Sequence, residues 1–176
     1  MRQQISLPNK SLALFFTLGV SLQTWKEMGH LDRESRVYKR LASHFGTVYF
    51  LTYGKRDKTL EHIIIPIKVL PKPCWIPTKL YSLLMPLIHW KTLRKVDVFK
   101  TNQMNGAWAA LLAKLLLRKK LVVRCGYEWE MFAKRARTSR LKLALIHVIE
   151  WICYRSADAI IVTSQEAKQY VSKTFG

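Results

Sequence analysis

Residues 12–24, LALFFTLGVSLQT, decide the fold. The run LALFFTLG is apolar almost without a break and closes on Gly19, the pattern of a short strand covered on both faces. From Ser21 or Thr24 to about Phe45 the apolar residues Trp25, Met28, Leu31, Tyr38, Leu41 and Phe45 recur at steps of three and four, which predicts one amphipathic helix stopped by Gly46. TVYFLTYG (47–54) and HIIIPIKVL (62–70) read as two further strands, and Pro66 puts the second near a sheet edge. KPCWIP (72–77) is a loop between prolines, and Lys79 to Lys95 reads as a helix kinked or restarted at Pro86. VDVFKTNQ (96–103) and LVVRCGYEW (121–129) are strands running into loops, separated by the helix AWAALLAKLLLRKK (107–120), which opens at Asn105 and Gly106. A long basic helix from Phe132 to Ser156, the strand ADAIIVTS (157–164) and a helix from Gln165 to Phe175 capped by Ser164 complete the chain. Strands and helices alternate almost strictly, so the expected fold is α/β, a Rossmann-like doubly wound and mostly parallel sheet of about six strands with helices on both faces. Residues 1–10 read as a polar leader and 11–176 as one domain.

The 176 residues are near half apolar, enough for a core without disulfides or metal. Thirty Lys and Arg against eleven Asp and Glu give a formal charge of +19, which calls for anionic partners. An acidic membrane surface, a phosphorylated small molecule and nucleic acid all fit that charge. The sequence has no helix-turn-helix, zinc finger or RNP-type aromatic pattern, which argues against nucleic acid. Cys74, Cys125 and Cys153 have no metal or redox spacing and read as small, buried, reduced thiols of a cytoplasmic protein. Arg2 and Lys10 before the apolar run also fit a secretion signal, with Gly19 and Ser21 as the small residues of a cleavage site. The odd cysteine count and the need for a first strand favour the strand. No segment is long and apolar enough to span a membrane.

In an open parallel sheet ligands bind beyond the carboxyl ends of the strands, which singles out four loops: Thr17 to Thr24, Lys100 to Gly106, Arg124 to Phe132 and Thr163 to Glu166. The first has Gly19, Val20 and Ser21 at a helix mouth, where backbone amides can meet a phosphate, or where Gly19 merely lets the strand turn. It is neither GxGxxG nor a Walker loop. RCGYEWEMF (124–132) sets Tyr127 and Trp129 among Glu128 and Glu130, rings to stack on a pyranose and acids to accept its hydroxyl protons; equally, it is a packed Trp with Glu130 opening a helix. His30, His44, His62, His89 and His147 lack ligand spacing, and no nucleophile elbow or Ser/His/Asp order occurs, so neither a metal, a cofactor nor hydrolysis is expected. The cluster Lys134, Arg135, Arg137, Arg140 and Lys142, with Lys114, Arg118, Lys119 and Lys120, predicts salt-sensitive binding to anionic vesicles.

GVSLQTW (19–25), KTNQMNGAW (100–108), RCGYEWEMFA (124–133) and ADAIIVTS (157–164), in this order, resemble the N-terminal, acceptor-side domain of glycosyltransferase family 4, the retaining enzymes of GT-B fold. The resemblance runs over nearly the whole chain. It implies a domain that shapes the acceptor site and faces a second Rossmann-like domain holding the nucleotide sugar, with the reaction between the two. By position, Gly19 with Val20, Ser21 and Thr24 corresponds to the loop facing the donor phosphates. The loop from Gly126 through Tyr127 to Trp129 corresponds to a region lining the reaction centre, and Asn102, Gln103 and Arg124, on the loops after two strands, are further substrate-binding candidates. Where many relatives carry a histidine, this chain has Gly126, Tyr127 and Glu128, so Glu128 is the substitute catalytic candidate. The family continues beyond a residue such as Gly176 into the donor domain, so the 176 residues are expected to be inactive alone. The resemblance implies a glycan or lipid-linked acceptor, while the reduced thiols and the basic surface point to a cytoplasmic chain, peripheral on the inner face of the membrane. The competing reading is a non-catalytic basic module that binds anionic lipid or RNA.

Overall fold

A computed structural model describes residues 7–126 and 129–176. Six strands form one all-parallel sheet: β1 (Leu7–Phe15), β2 (Phe45–Leu51), β3 (Lys68–Leu70), β4 (Val98–Thr101), β5 (Lys120–Cys125) and β6 (Ala159–Val162), in the order β3-β2-β1-β4-β5-β6. The chain builds outward from β1 on one side, then returns to build from β4 on the other. The two halves part between β1 and β4, the topological switch point where such sheets bind ligands.

The helices are α1 (Leu22–Glu27), α2 (Leu31–Ala42), α3 (Thr78–Ile88), α4 (Trp90–Leu93), α5 (Ala107–Leu117), α6 (Trp129–Arg135), α7 (Arg140–Ser156) and α8 (Gln165–Phe175). The core beside β1 and β2 is aromatic: Phe16 stacks on Trp25 with ring centres 4.3 Å apart, and Tyr38 meets Phe50 edge-on at 5.1 Å. On the other half, α5 lies between α3 and α7. Its buried residues are mostly alanine, Ala107, Ala109, Ala110 and Ala113, so its backbone approaches sheet and neighbours closely.

Several expected elements divide differently. The strand begins at Leu7, so residues 7–10 of the expected leader belong to β1. The single helix to Phe45 is two, α1 and α2, broken where Gly29 takes φ +70°. Gly46 is no helix stop, because the helix ends at Ala42 and Gly46 lies within β2. HIIIPIKVL is strand only at Lys68–Leu70, and Asp57–Ile63 forms a 3-10 helix instead. Ile64 and Ile67 are buried all the same, so this apolar run fills the core from turns. Pro66, without an N–H, cannot extend the ladder, and β3 is indeed an edge strand. The long basic helix breaks into α6 and α7 at a link where Arg137 takes φ +51°. Cys125 and Cys153 are buried as expected, but Cys74 is exposed in its proline-bounded loop. Among the described residues no helix is long and apolar enough to cross a membrane.

Candidate functional site

Parallel strands end together, so the loops after β1, β4 and β5 share one sheet edge. At the switch point the first two are stitched into a ridge. The Leu18 amide donates to the Asn105 carbonyl at 3.0 Å, and the Asn102 amide donates to the Phe15 carbonyl at 2.8 Å. Asn102 Nδ2 donates to Thr17 Oγ1 at 3.2 Å, and its buried Oδ1 has no partner among the described residues. Gly106, at φ +100°, closes the ridge, since a Cβ there would stand 2.8 Å from the Leu18 nitrogen. No side chain fits so close to another backbone.

On one side of the ridge lies a polar cleft of about 290 Å³, lined by Thr17, Val20, Thr24, Trp25, Met28, His30, Arg33, Glu34, Asn102 and Gln103. Its size is near the lower end for ligand pockets, room for about one sugar ring but not a nucleotide sugar. Beneath it Arg124 reaches toward Glu34, Nη1 to Oε2 3.9 Å, and Lys100 donates to the Tyr38 hydroxyl at 2.9 Å. Burial, reinforced by the Arg124 charge, pushes the Lys100 ammonium down to about 8.

The first loop does less for an anion than its sequence promises. The opening amides of α1 are already taken: Leu22 and Gln23 donate to the Asp57 carboxylate at 2.8 and 3.4 Å, and Thr24 donates to Ser21 Oγ at 2.9 Å. Asp57 is buried and stands where a phosphate would, the chain's own anion at the helix mouth. Gly54 makes room for it, since a Cβ there would overlap the Asp57 carboxylate. With the Val20 amide bonded to the Thr17 carbonyl at 2.9 Å, the Gly19 and Ser21 amides are the ones that take no protein acceptor among the described residues.

Of the residues singled out in the sequence, Val20, Thr24, Asn102 and Gln103 line the polar cleft together. Gly19 and Ser21 sit beside it, Ser21 as the cap of α1. Arg124 lies under it. Gly126 donates to Gln103 Oε1 at 2.9 Å and has the Gln103 amide pressed against its Cα. Trp129 falls on the other side of the ridge, its ring centre 5.9 Å from that of Trp108. Tyr127 and Glu128 lie outside the described residues. Glu130 turns inward, bonded to Lys134 at 2.6 Å and His147 at 2.8 Å. Burial works against its ionisation, but those two partners outweigh it and hold the carboxyl below its usual range. It is a strut between α6 and α7, not a sugar ligand. His30, Arg33 and Glu34 were missed because they lie at the start of α2, far in sequence from any strand end. The charged cluster HLDRE (30–34) was their only signal. Among the described residues no group of three His, Cys, Asp or Glu side chains is placed to hold a metal.

The family model Glycosyltransferase Family 4 matches residues 36–176, and the chain belongs to that family. No curated protein sequence matches it. Among solved structures the chain is similar to HepE of Anabaena, crystallised with UDP and glucose: TM-score 0.55, 17% identity, covering 93% of this chain and 41% of that one. The chain thus spans about two fifths of that protein's length. A protein of unknown function from Vibrio parahaemolyticus matches at TM-score 0.43 and 12% identity, covering 94% of this chain and 98% of that one.

Proposed function

We propose that these residues form the acceptor-side wall of a retaining glycosyltransferase site, which moves a sugar from a nucleotide-sugar donor to a glycan or lipid-linked acceptor. The observation that carries the reading is the polar cleft beside the β1/β4 ridge in a chain of this family. The cleft suits a sugar: Asn102 and Gln103 offer amides, Thr17 and Thr24 hydroxyls, and Trp25 an apolar wall. Gly19 and Ser21 add two amides toward a donor phosphate. Glu128 is proposed as the catalytic carboxylate and Tyr127 as a substrate-binding residue, on the family resemblance of the stretch 124–133.

The donor is proposed to be held mainly by a second domain. The UDP and glucose bound to HepE support a nucleotide-sugar donor here. With Asp57 in the anion place of α1, this wall has little left for a diphosphate. The basic residues Lys134, Arg135, Arg137 and Arg140, beside exposed Phe132 and Leu141, support peripheral attachment to the inner face of the membrane.

The test is calorimetric titration of the 176-residue chain with UDP-glucose and other common nucleotide sugars, followed by a transfer assay with and without a donor-binding domain supplied as a second chain. The expected result is no saturation below millimolar donor and turnover only when the second chain is present, because closure of two walls aligns donor with acceptor. Micromolar binding with turnover by the chain alone would overturn the one-wall reading.

A further inference from the structure

Across the ridge from the polar cleft, an apolar trough of about 630 Å³ runs between α3 and α7 over the start of α5. Leu18, Leu83, Trp108, Trp129, Leu145 and Ile149 line it. Leu83 and Leu145 are 54% and 58% exposed, large aliphatic groups left to water on facing helices. A second cleft of about 380 Å³, lined in part by Phe132 and Ala136, shares Trp129, Lys142 and Ile146 with it, so the apolar floor continues along α6. The polar groups are few. Ser82 is occupied, accepting from Trp108 Nε1 at 3.1 Å and donating to the Lys79 carbonyl at 2.7 Å. Two ammonium groups remain, Lys79 and Lys142, exposed and without an acidic partner among the described residues. Among the described residues no Asp or Glu lines either cleft.

We propose that this trough holds the hydrocarbon chain of an amphiphilic acceptor whose phosphate pairs with Lys79 and Lys142. The inference rests on the glycosyl-transfer reading above and names its acceptor class. A sugar would need several paired donors and acceptors, and beyond the occupied Ser82 and a buried Asn105 at the ridge the described lining is hydrocarbon with two cations. A chain with an anionic head matches both. The ridge at Leu18 and Asn105 borders trough and polar cleft alike, so a phosphate at the rim leaves the group attached to it within reach of the reaction edge.

The probes are octyl, decyl and dodecyl phosphate, each below its micelle concentration, followed by tryptophan fluorescence, with inorganic phosphate and dodecyl maltoside as comparisons. Affinity is expected to rise about two- to fourfold per added CH₂, following the free energy of methylene burial. Dodecyl phosphate should bind at least tenfold more tightly than either comparison. Leu145→Glu, at an exposed position, should weaken dodecyl phosphate at least tenfold, and Lys79→Ala/Lys142→Ala should weaken dodecyl phosphate but not dodecyl maltoside. Val37→Glu, on α2 and also exposed, should change neither.

Equal affinity of Leu145→Glu and the parent chain would overturn the proposal. So would binding only to vesicles, which would make this face a bilayer contact, or a dimer in sedimentation that Leu145→Glu dissolves, which would make it a contact between copies. Each of those results leaves sugar transfer to a water-soluble acceptor untouched, so the acceptor class and the glycosyl-transfer reading fail separately.

Discussion

At the scale of residues, the switch point turns on two glycines that are there for different reasons. Gly106 and Gly19 both take positive φ, +100° and +77°, but only Gly106 has a backbone atom against it; nothing lies within 4 Å of a Cβ built on Gly19. Gly19→Ala should therefore cost only the left-handed penalty, about 1–2 kcal/mol. Gly106→Ala should cost clearly more, since the Leu18–Asn105 bond must lengthen as well. Urea unfolding of the two variants checks the order. Asp57 is the other decisive residue. Asp57→Ala strands the Leu22 and Gln23 amides, with an expected loss of about 1–3 kcal/mol in the same measurement. The sequence pointed to Gly19 because a glycine between strand and helix is a local sign. It could not point to Asp57, whose partners lie 35 and 34 residues away.

Among elements, the sequence was most legible where apolar runs were continuous, at β1, β2, β4 and β5, and least where tertiary partners override the local pattern. HIIIPIKVL has strand composition, yet Ile64 and Ile67 reach the core from turns, since Pro66 denies the ladder a donor. The break between α6 and α7 went unread because the basic link 136–139 contains no glycine or proline. The packing of α7 against α6 carries a pH-sensitive carboxyl. Glu150 on α7 is fully buried, facing the Trp129 and Glu130 amides without closing a hydrogen bond to either. Burial first, then the Glu130 charge, pushes its carboxyl up to about 7, against smaller opposing pulls from the Glu130 and Trp129 amides and then from His147.

A carboxyl raised in the folded state binds its proton more tightly there than in the unfolded chain. Its contribution to stability is thus full below about 4.5 and lost as pH rises through about 7. Glu150→Gln removes that loss. The variant's stability relative to the parent should be higher at pH 8 than at pH 5 by about 2 kcal/mol. The half-buried His89, held down to about 4 by desolvation, favours higher pH over its own range, but it does so equally in both proteins and cancels. Thermal unfolding at the two pH values reads the difference, and parallel curves would mean that Glu150 is not the titrating group.

For the whole molecule, the order β3-β2-β1-β4-β5-β6 is what makes a site possible, because it opens the sheet at one place and puts a polar cleft and an apolar trough on either side of one ridge. The fold class could be read from alternation alone. The division of the site could not: Trp129 stands with Asn102 in the sequence reading, and they face opposite sides of the ridge, because β5 lies beyond β4 and α6 leaves it toward α7. The excess of positive charge also bears on any binding measurement, since a chain of +19 attracts phosphates at many places. Position, not affinity, is therefore the discriminating readout.

Amide chemical-shift mapping of the ¹⁵N-labelled chain during a millimolar titration with UDP-glucose, repeated with inorganic pyrophosphate, provides that readout. The central claim is that the carboxyl edge at the β1/β4 ridge is the sugar-facing wall. It predicts shifts specific to the nucleotide sugar at Gly19, Ser21, Asn102, Gln103 and Gly126, with residues 114–120 at the opposite edge responding alike to both ligands. Identical maps for the two ligands, or shifts confined to the Lys114 to Lys120 edge, would contradict it.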